Sequence, residues 1–316
     1  MKNLTIQPYT AAHIPAVVEL QTAYTSIYPV APVIPGELYL SPAYESGRNI
    51  FCAFDECGQL IGYAPVYPVL MRDRSNRPHK VWTEIKAHPA CEAPGEVKDR
   101  LLDCVRLRAL EVTKDFPGHP VHLTFQYFPS ETTSVEFVLS RGCTQTESVY
   151  TMRRDLSKEI PALSAIEGIA LRPWRMESEP EQQAYTNARN ECFPEAPITL
   201  EEWQYFMLSP HWSVGTTIAA FDGDQLVGNL ALFWNEAENQ KSGRKIGFTE
   251  YIFVRPAWRG RSIAGSLINA GLTHLRQHGL DEAHLEVRAR NEGALRLYRD
   301  LGYEVIRESR FYVLEL

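Results

Sequence analysis

Two rhythms of apolar residues alternate along the chain, and the points where one gives way to the other set out the elements. In the second half, Tyr251-Ile252-Phe253-Val254 is a β-branched and aromatic run of strand type, and Pro256 behind it cannot continue a ladder. Ile263, Leu267, Ala270, Leu272 and Leu275 then recur at roughly helical spacing, which predicts a helix beginning near Ser262. His284-Leu285-Glu286-Val287-Arg288 returns to strand type. Beyond it, Ala294, Leu297, Tyr298 and Leu301 share one face of a further helix, with Asn291 placed to cap its N-terminus and Gly302 where a left-handed C-cap residue belongs. Upstream, 181–189 and 200–208 have the pattern of two helices, and Pro194 and Pro197 between them forbid a single continuous one.

The same succession occurs earlier in the chain. Ala53-Phe54-Asp55-Glu56-Cys57-Gly58-Gln59-Leu60-Ile61-Gly62 is a hairpin pattern, and Ala220-Phe221-Asp222-Gly223-Asp224-Gln225-Leu226-Val227-Gly228 repeats it. Trp82-Thr83-Glu84-Ile85 answers Phe248-Thr249-Glu250-Tyr251, and His122-Leu123-Thr124-Phe125 answers His284-Leu285-Glu286-Val287, at an offset of about 160 to 167 residues. Two domains of one fold type follow, expected at 1–156 and 168–316 with a linker across 156–167.

The chemistry of the second copy concentrates behind its strand. Arg255, Arg259 and Arg261 surround the loop that opens the helix at Ser262, whose first turn offers free N–H groups at the positive end of the peptide dipoles: an anion cradle. Arg259-Gly260-Arg261-Ser262-Ile263-Ala264 resembles the pyrophosphate loop Arg/Gln-x-x-Gly-x-Gly/Ala of the GNAT (GCN5-related) N-acetyltransferase superfamily, with Ser262 where the family usually has glycine. Asn291-Glu292-Gly293-Ala294-Leu295-Arg296-Leu297-Tyr298 through Gly302-Tyr303 is similar to its closing segment, Asn-x-x-Ala-x-x-Leu-Tyr-x-x-x-Gly-Phe/Tyr. The resemblance implies an α/β (α+β) chain of two tandem GNAT folds, each a mixed, mostly antiparallel twisted sheet flanked by helices. In arrangement, a worn first copy and an intact second, it is similar to mycothiol synthase. The wear is visible where Cys91-Glu92-Ala93-Pro94-Gly95-Glu96 stands in place of the arginine loop: two carboxylates would face a pyrophosphate, and Pro94 removes a backbone donor.

Composition narrows the partners. With 316 residues and 44% hydrophobic content the chain is long enough for two cores. A net charge of -7 and a pI near 5.8 speak against a general nucleic-acid binder, so the basic cluster at the loop suits a small anionic ligand. Six cysteines lie scattered without CxxC pairs, signalling neither a zinc site nor a disulfide framework. No signal-peptide core or long apolar span is present in the sequence, and a soluble cytoplasmic protein without metal, monomeric or homodimeric, is the expectation.

The family likeness assigns roles residue by residue. Acetyl-CoA, the implied cosubstrate, would run beside Ile252, Phe253 and Val254, and its phosphates would meet Arg259, Gly260, Arg261, Ser262, Ile263 and Ala264, with Asn291 and Ala294 alongside. Glu250 is expected to be the base that deprotonates a primary amine, whose pKa of about 10.4 costs roughly 4 kcal/mol at neutral pH. Tyr298 is expected to hydrogen-bond the departing sulfur. Glu191, Phe193 and Trp203 are expected to border the acceptor, where a cationic small-molecule amine would suit the nearby glutamates. A non-catalytic acyl-CoA sensor or scaffold is the alternative.

Overall fold

A computed structural model describes residues 4–71, 76–161, 163–208, 212 and 214–316. The chain divides into two compact units. Unit 1 comprises the residues up to Ser148 together with Glu308–Leu316, and unit 2 comprises Val149–Arg307. The division expected at 156–167 is therefore crossed twice. Residues 149–155 pair antiparallel with a strand of unit 2, and residues 310–315 pair antiparallel with a strand of unit 1, so each unit takes its last strand from the other half of the sequence.

Unit 1 is built from β1 (Thr5–Pro8), α1 (Ile14–Ile27), β2 (Ile50–Phe54), β3 (Leu60–Val69), β4 (His79–Thr83), β5 (Lys86–Ala87), α2 (Pro94–Thr113), β6 (Val121–Tyr127) and α3 (Thr132–Ser140). Its sheet runs β1-β2-β3-β4-β6 and ends on the C-terminal strand; β4 and β6 are parallel and the other pairs antiparallel. Val97, Leu101 and Val105 of α2 pack on Val66, Val81 and Phe125 of the sheet. Pro94 occupies the first turn of α2, where its missing N–H would have had no partner in any case.

Unit 2 contains β7 (Thr144–Asp155) from residue 149 onward, then β8 (Ile169–Pro173), α4 (Glu179–Cys192), α5 (Leu200–Met207), β9 (Thr216–Asp222), β10 (Gln225–Trp234), α6 (Glu236–Ser242), β11 (Ile246–Val254), α7 (Ile263–Gln277), β12 (Glu282–Arg288) and α8 (Glu292–Asp300). Its sheet order is β7-β12-β11-β10-β9-β8, with β11 and β12 parallel and the remaining pairs antiparallel. The amphipathic helix foreseen from 262 onward is α7, whose Ile263, Leu267, Ile268, Leu272 and Leu275 bury against Leu230 and Leu232 of β10. Gly271 permits that approach, since a Cβ there would lie 2.5 Å from Leu230 Cδ2. On the other face, Tyr185, Trp203, Trp212 and Phe253 form a second cluster under α4 and α5. Thr199 accepts from the Glu202 N–H at 3.1 Å while its own N–H donates to Glu202 Oε2 at 2.7 Å, a reciprocal cap that starts α5 two residues after Pro197. No helix among the described residues is long and apolar enough to cross a membrane.

Candidate active site

The site is organised by a disagreement between two strands. β11 and β12 pair in parallel only from Ile246 with Glu282 to Phe248 with His284, after which no further β11–β12 pairing continues although both strands run on. Thr249 stands where they part: its Oγ1 lies 2.7 Å from Tyr303 Oη and 3.4 Å from the His284 carbonyl. On its other side β11 carries a bulge. Asn229 faces Phe253 and Ala231 faces Glu250, so Tyr251 and Ile252 share the single partner Leu230. Tyr251 takes a left-handed φ of 52°, sparsely populated for a non-glycine residue and costing on the order of 1 kcal/mol or more. The bulge turns β11 away from β12, and the result is a wedge with main-chain donors and acceptors along both edges.

Glu250 and Tyr298 meet at this wedge. The Glu250 side chain reaches across it and accepts the Glu286 N–H of β12 at 2.9 Å. Burial pushes its carboxyl up to about 8; the Glu286 N–H works against that rise and the Glu286 carboxylate adds to it. Tyr298, on the buried face of α8 and 8% exposed, has its phenol raised well above the usual value by burial and by the nearby Glu250 charge. A phenol so raised keeps its proton and acts as a hydrogen-bond donor rather than as a source of H+.

The loop behind β11 has the form its residues suggested. A single turn at Pro256–Trp258 leads to Gly260 at φ 80° and Ser262 at φ 60°, so the position where glycine is usual is in fact left-handed, with a serine holding it. Helix α7 then begins at Ile263 with a first turn whose N–H groups lack intrahelical acceptors. The three arginines are held by neighbours. Arg255 pairs with Glu191 at 2.6 Å, Arg259 Nε donates to the Val254 carbonyl at 3.1 Å, and Arg261 donates to the Glu167 carbonyl at 3.1 Å and lies 3.9 Å from Asp222. Trp258 Nε1 donates to the same Asp222 carboxylate. At the closing segment, Asn291 accepts the Ala294 N–H at 3.2 Å as the N-cap of α8, and Gly302 has φ 82°.

The remaining expectations divide. Ile252 and Val254 are half-buried along the wedge strand, whereas Phe253 is 3% exposed and faces the core, so a ligand beside β11 would meet only its backbone. Ile263 likewise anchors α7 inside the core and Ala264 is half-buried. The residues expected to border the acceptor are placed differently from one another. Trp203 is a core residue, stacked on Tyr185 with ring centroids 4.2 Å apart, because its position on α5 faces the sheet. Glu191 is neutralised by Arg255, Glu202 is committed to its own helix cap, and the Arg189 guanidinium already covers Phe193 at 5.4 Å. Sequence reasoning missed Thr249, Asp222 and the strained Tyr251. Tyr303, inside the recognised closing segment, was the one signal that pointed toward this corner.

Comparison with known proteins bears on family and fold. Residues 171–303 match the Acetyltransferase (GNAT) family, whose members generally take acetyl-CoA as donor. Mycothiol acetyltransferase from Thermobispora bispora is 32% identical over 168 residues, covering 51% of this chain and 55% of that protein. Mycothiol acetyltransferase from Catenulispora acidiphila is 25% identical over 252 residues, covering 78% of this chain and 74% of that protein. With the T. bispora, Brachybacterium faecium and Nocardioides relatives the match spans about half of the relative, 53% to 59%. A GCN5-related N-acetyltransferase from Sphaerobacter thermophilus superposes at a TM-score of 0.77 with 22% identity, over 99% of this chain and 95% of that one. A tandem GNAT protein from the clavulanic acid biosynthesis pathway gives 0.70 at 14% identity, over 99% and 98%. Structures this distant in sequence establish the fold. Residues 171–303 therefore match an acetyltransferase family, and the chain as a whole has the fold of tandem GNAT proteins and resembles the mycothiol acetyltransferases.

Proposed function

We propose that this tandem GNAT protein transfers an acetyl group from acetyl-CoA to a primary amine by direct attack in a ternary complex, with unit 2 as the active unit. The observation that carries the reading is the wedge between β11 and β12, open from Thr249 onward, with Glu250 and Tyr298 at it and the arginine loop and first turn of α7 following β11. A wedge of that kind suits an extended pantetheine arm, whose amides would bond the edge of β11 as an added strand, while the phosphates meet the N–H groups after Arg259 and displace Glu191 and Asp222 from the arginines.

Chemistry follows from the two side chains. Glu250, with a carboxyl near 8, takes the proton of the ammonium directly or through water as the nitrogen attacks; the roughly 2.4 units between it and an amine of pKa about 10.4 make that transfer uphill by about 3.3 kcal/mol, which is drawn forward by formation of the C–N bond. The freed nitrogen lone pair attacks the thioester carbonyl carbon, the C–S bond breaks as the tetrahedral species collapses, the sulfur leaves as thiolate, and the nitrogen's second proton passes through water to that thiolate or to solvent. Tyr298, which holds its proton, donates a hydrogen bond to that sulfur as charge develops. Unit 1 offers a poorer cradle: Pro94 removes one N–H from the first turn of α2, and Glu92 and Glu96 flank its start.

The test is release of free thiol from acetyl-CoA in the presence of a panel of amines, with the acetylated amine identified by mass. The panel includes a mycothiol-type acceptor, to which the relatives' name points, alongside polyamine, aminoglycoside and peptide N-terminal amines. Turnover with at least one amine, abolished in a Glu250→Gln, Tyr298→Phe double variant, is the expected result. Tight acetyl-CoA binding without turnover on any amine would instead identify an acyl-CoA sensor.

A further inference from the structure

Unit 1 also keeps a chemical feature that packing does not require. Its parallel strands β4 and β6 pair from His79 with Val121 to Thr83 with Phe125, and just past that point Tyr127 Oη accepts the Ile85 N–H at 2.9 Å. Beside this corner is a cavity of about 310 Å³, at the lower end of the range for small-molecule pockets. Its polar wall is Glu84, Lys86 and Glu131, and Tyr39, Tyr44, Tyr67 and Trp82 are among its aromatic linings.

The ionic groups are deeply set and already ordered. Lys86 Nζ, on a side chain 1% exposed, lies 2.7 Å from Glu84 Oε2 and 5.1 Å from the centre of the Tyr24 ring. Tyr63 donates to Glu84 Oε1 at 2.7 Å. Glu131, 2% exposed, accepts from Tyr24 Oη at 2.9 Å and from the Phe128 N–H at 2.8 Å. Replacing a buried ion pair by well-packed apolar side chains is often neutral or stabilising, so a unit kept for packing alone has no need of this one. The lining carries two carboxylates against a single ammonium, which leaves one negative charge in surplus. The aromatic rings make a row, with Tyr39 and Tyr44 centred 5.4 Å apart and Tyr44 and Tyr67 5.7 Å apart. Rings beside surplus carboxylate charge are what an organic cation seeks: the ring faces attract it, and its apolar body displaces water from the walls. Burial pushes the Glu131 carboxyl above its ordinary value, so an ammonium arriving beside it would favour the charged form.

We propose that this cavity of unit 1 is a binding site for a small organic monocation, an alkyl- or arylammonium, held by the rings of Tyr39, Tyr44, Tyr67 and Trp82 and by the carboxylate charge that Glu84 and Glu131 carry in excess of Lys86. The site is separate from the wedge of unit 2 and does not depend on acetyl transfer.

Benzyltrimethylammonium is the probe, because a quaternary nitrogen has no proton to lose and cannot be acetylated. Trp82 is the one tryptophan in unit 1, the other five lying at 174, 203, 212, 234 and 258 in unit 2. Titration of the full chain is followed by calorimetry and by tryptophan fluorescence, in the parent and in a Trp82→Phe variant. Saturable binding is expected, with a fluorescence response that Trp82→Phe removes, and with benzyl alcohol binding at least about tenfold more weakly. Glu84→Gln, which cancels the surplus charge, should weaken the probe by about tenfold. Tyr67→Ala, at a position 40% exposed, should weaken it by about fivefold while urea unfolding confirms that the variant is folded. The proposal is overturned by absence of saturable binding, by equal binding of benzyl alcohol, or by unchanged affinity in Tyr67→Ala. None of these outcomes bears on acetyl transfer, which the thiol-release assay measures separately.

Discussion

Replacing Glu250 with glutamine tests the base assignment through the shape of a pH profile. The structure places this carboxyl near 8, raised by burial. With Glu250 as base, kcat/KM for the acceptor should rise with unit slope to an inflection near pH 8, so that about a tenth of the plateau is reached at pH 7. Without it the amine must ionise unaided, and the inflection should move to the amine's own value of about 10.4. The two curves differ by roughly 2.4 pH units, which is about 3.3 kcal/mol or about 200-fold at pH 7, narrowing to about threefold at pH 10. Glutamine keeps a carbonyl oxygen for the Glu286 N–H, so the wedge itself should persist. The measurement is kcat/KM against pH for both proteins at saturating acetyl-CoA. A variant that retains the inflection near 8, or that is slower by the same factor at every pH, would refute the assignment, because either outcome leaves the titrating group elsewhere.

The other expectations rest on separate observations. Glu250 should also appear in stability: a carboxyl raised from 4.5 to about 8 contributes stability below pH 4.5 that is lost as pH rises through 8, so Glu250→Gln should gain at least about 2 kcal/mol relative to the parent between pH 5 and pH 9 in urea unfolding. Tyr298→Phe should lower kcat at least about tenfold while acetyl-CoA affinity, read by calorimetry, stays nearly unchanged, as expected for a hydrogen bond made to the leaving sulfur. Glu191→Gln releases Arg255 from its 2.6 Å partner and should tighten acetyl-CoA binding by up to about fivefold at low salt; a weaker complex would mean that Glu191 positions the arginine. Calorimetry should return one acetyl-CoA per chain, and two comparable sites would contradict the asymmetry between the Arg259–Ala264 loop and Cys91–Glu96. Gly271→Ala should cost about 1 to 3 kcal/mol in unfolding free energy, since its methyl group would press on Leu230.

Local chemistry was legible without a structure. The spacing of Ile263, Leu267, Leu272 and Leu275 sets the buried face of α7, Asn291 caps α8 through its own side chain, and the prolines around 194 separate α4 from α5, because each depends on residues within a few positions of one another. The repeat, the basic loop and the candidates Glu250 and Tyr298 were legible for the same reason. Tertiary structure decided what depends on partners far along the chain. Which strand closes each sheet turned on pairings across more than a hundred residues, 149–155 with β12 and 310–315 with β6, and no local pattern encodes a strand's choice of neighbour. The pairing of Glu191 with Arg255 and the turn of Trp203 into the core were likewise decided in three dimensions, since charge and aromaticity in a sequence do not say which way a face points. The bulge at Tyr251 and the parting of β11 from β12 belong to the same class. They arise from one extra residue in the register between β10 and β11, and register is a property of two strands together, so the wedge that makes a site of Glu250 and Tyr298 exists only once the sheet has formed.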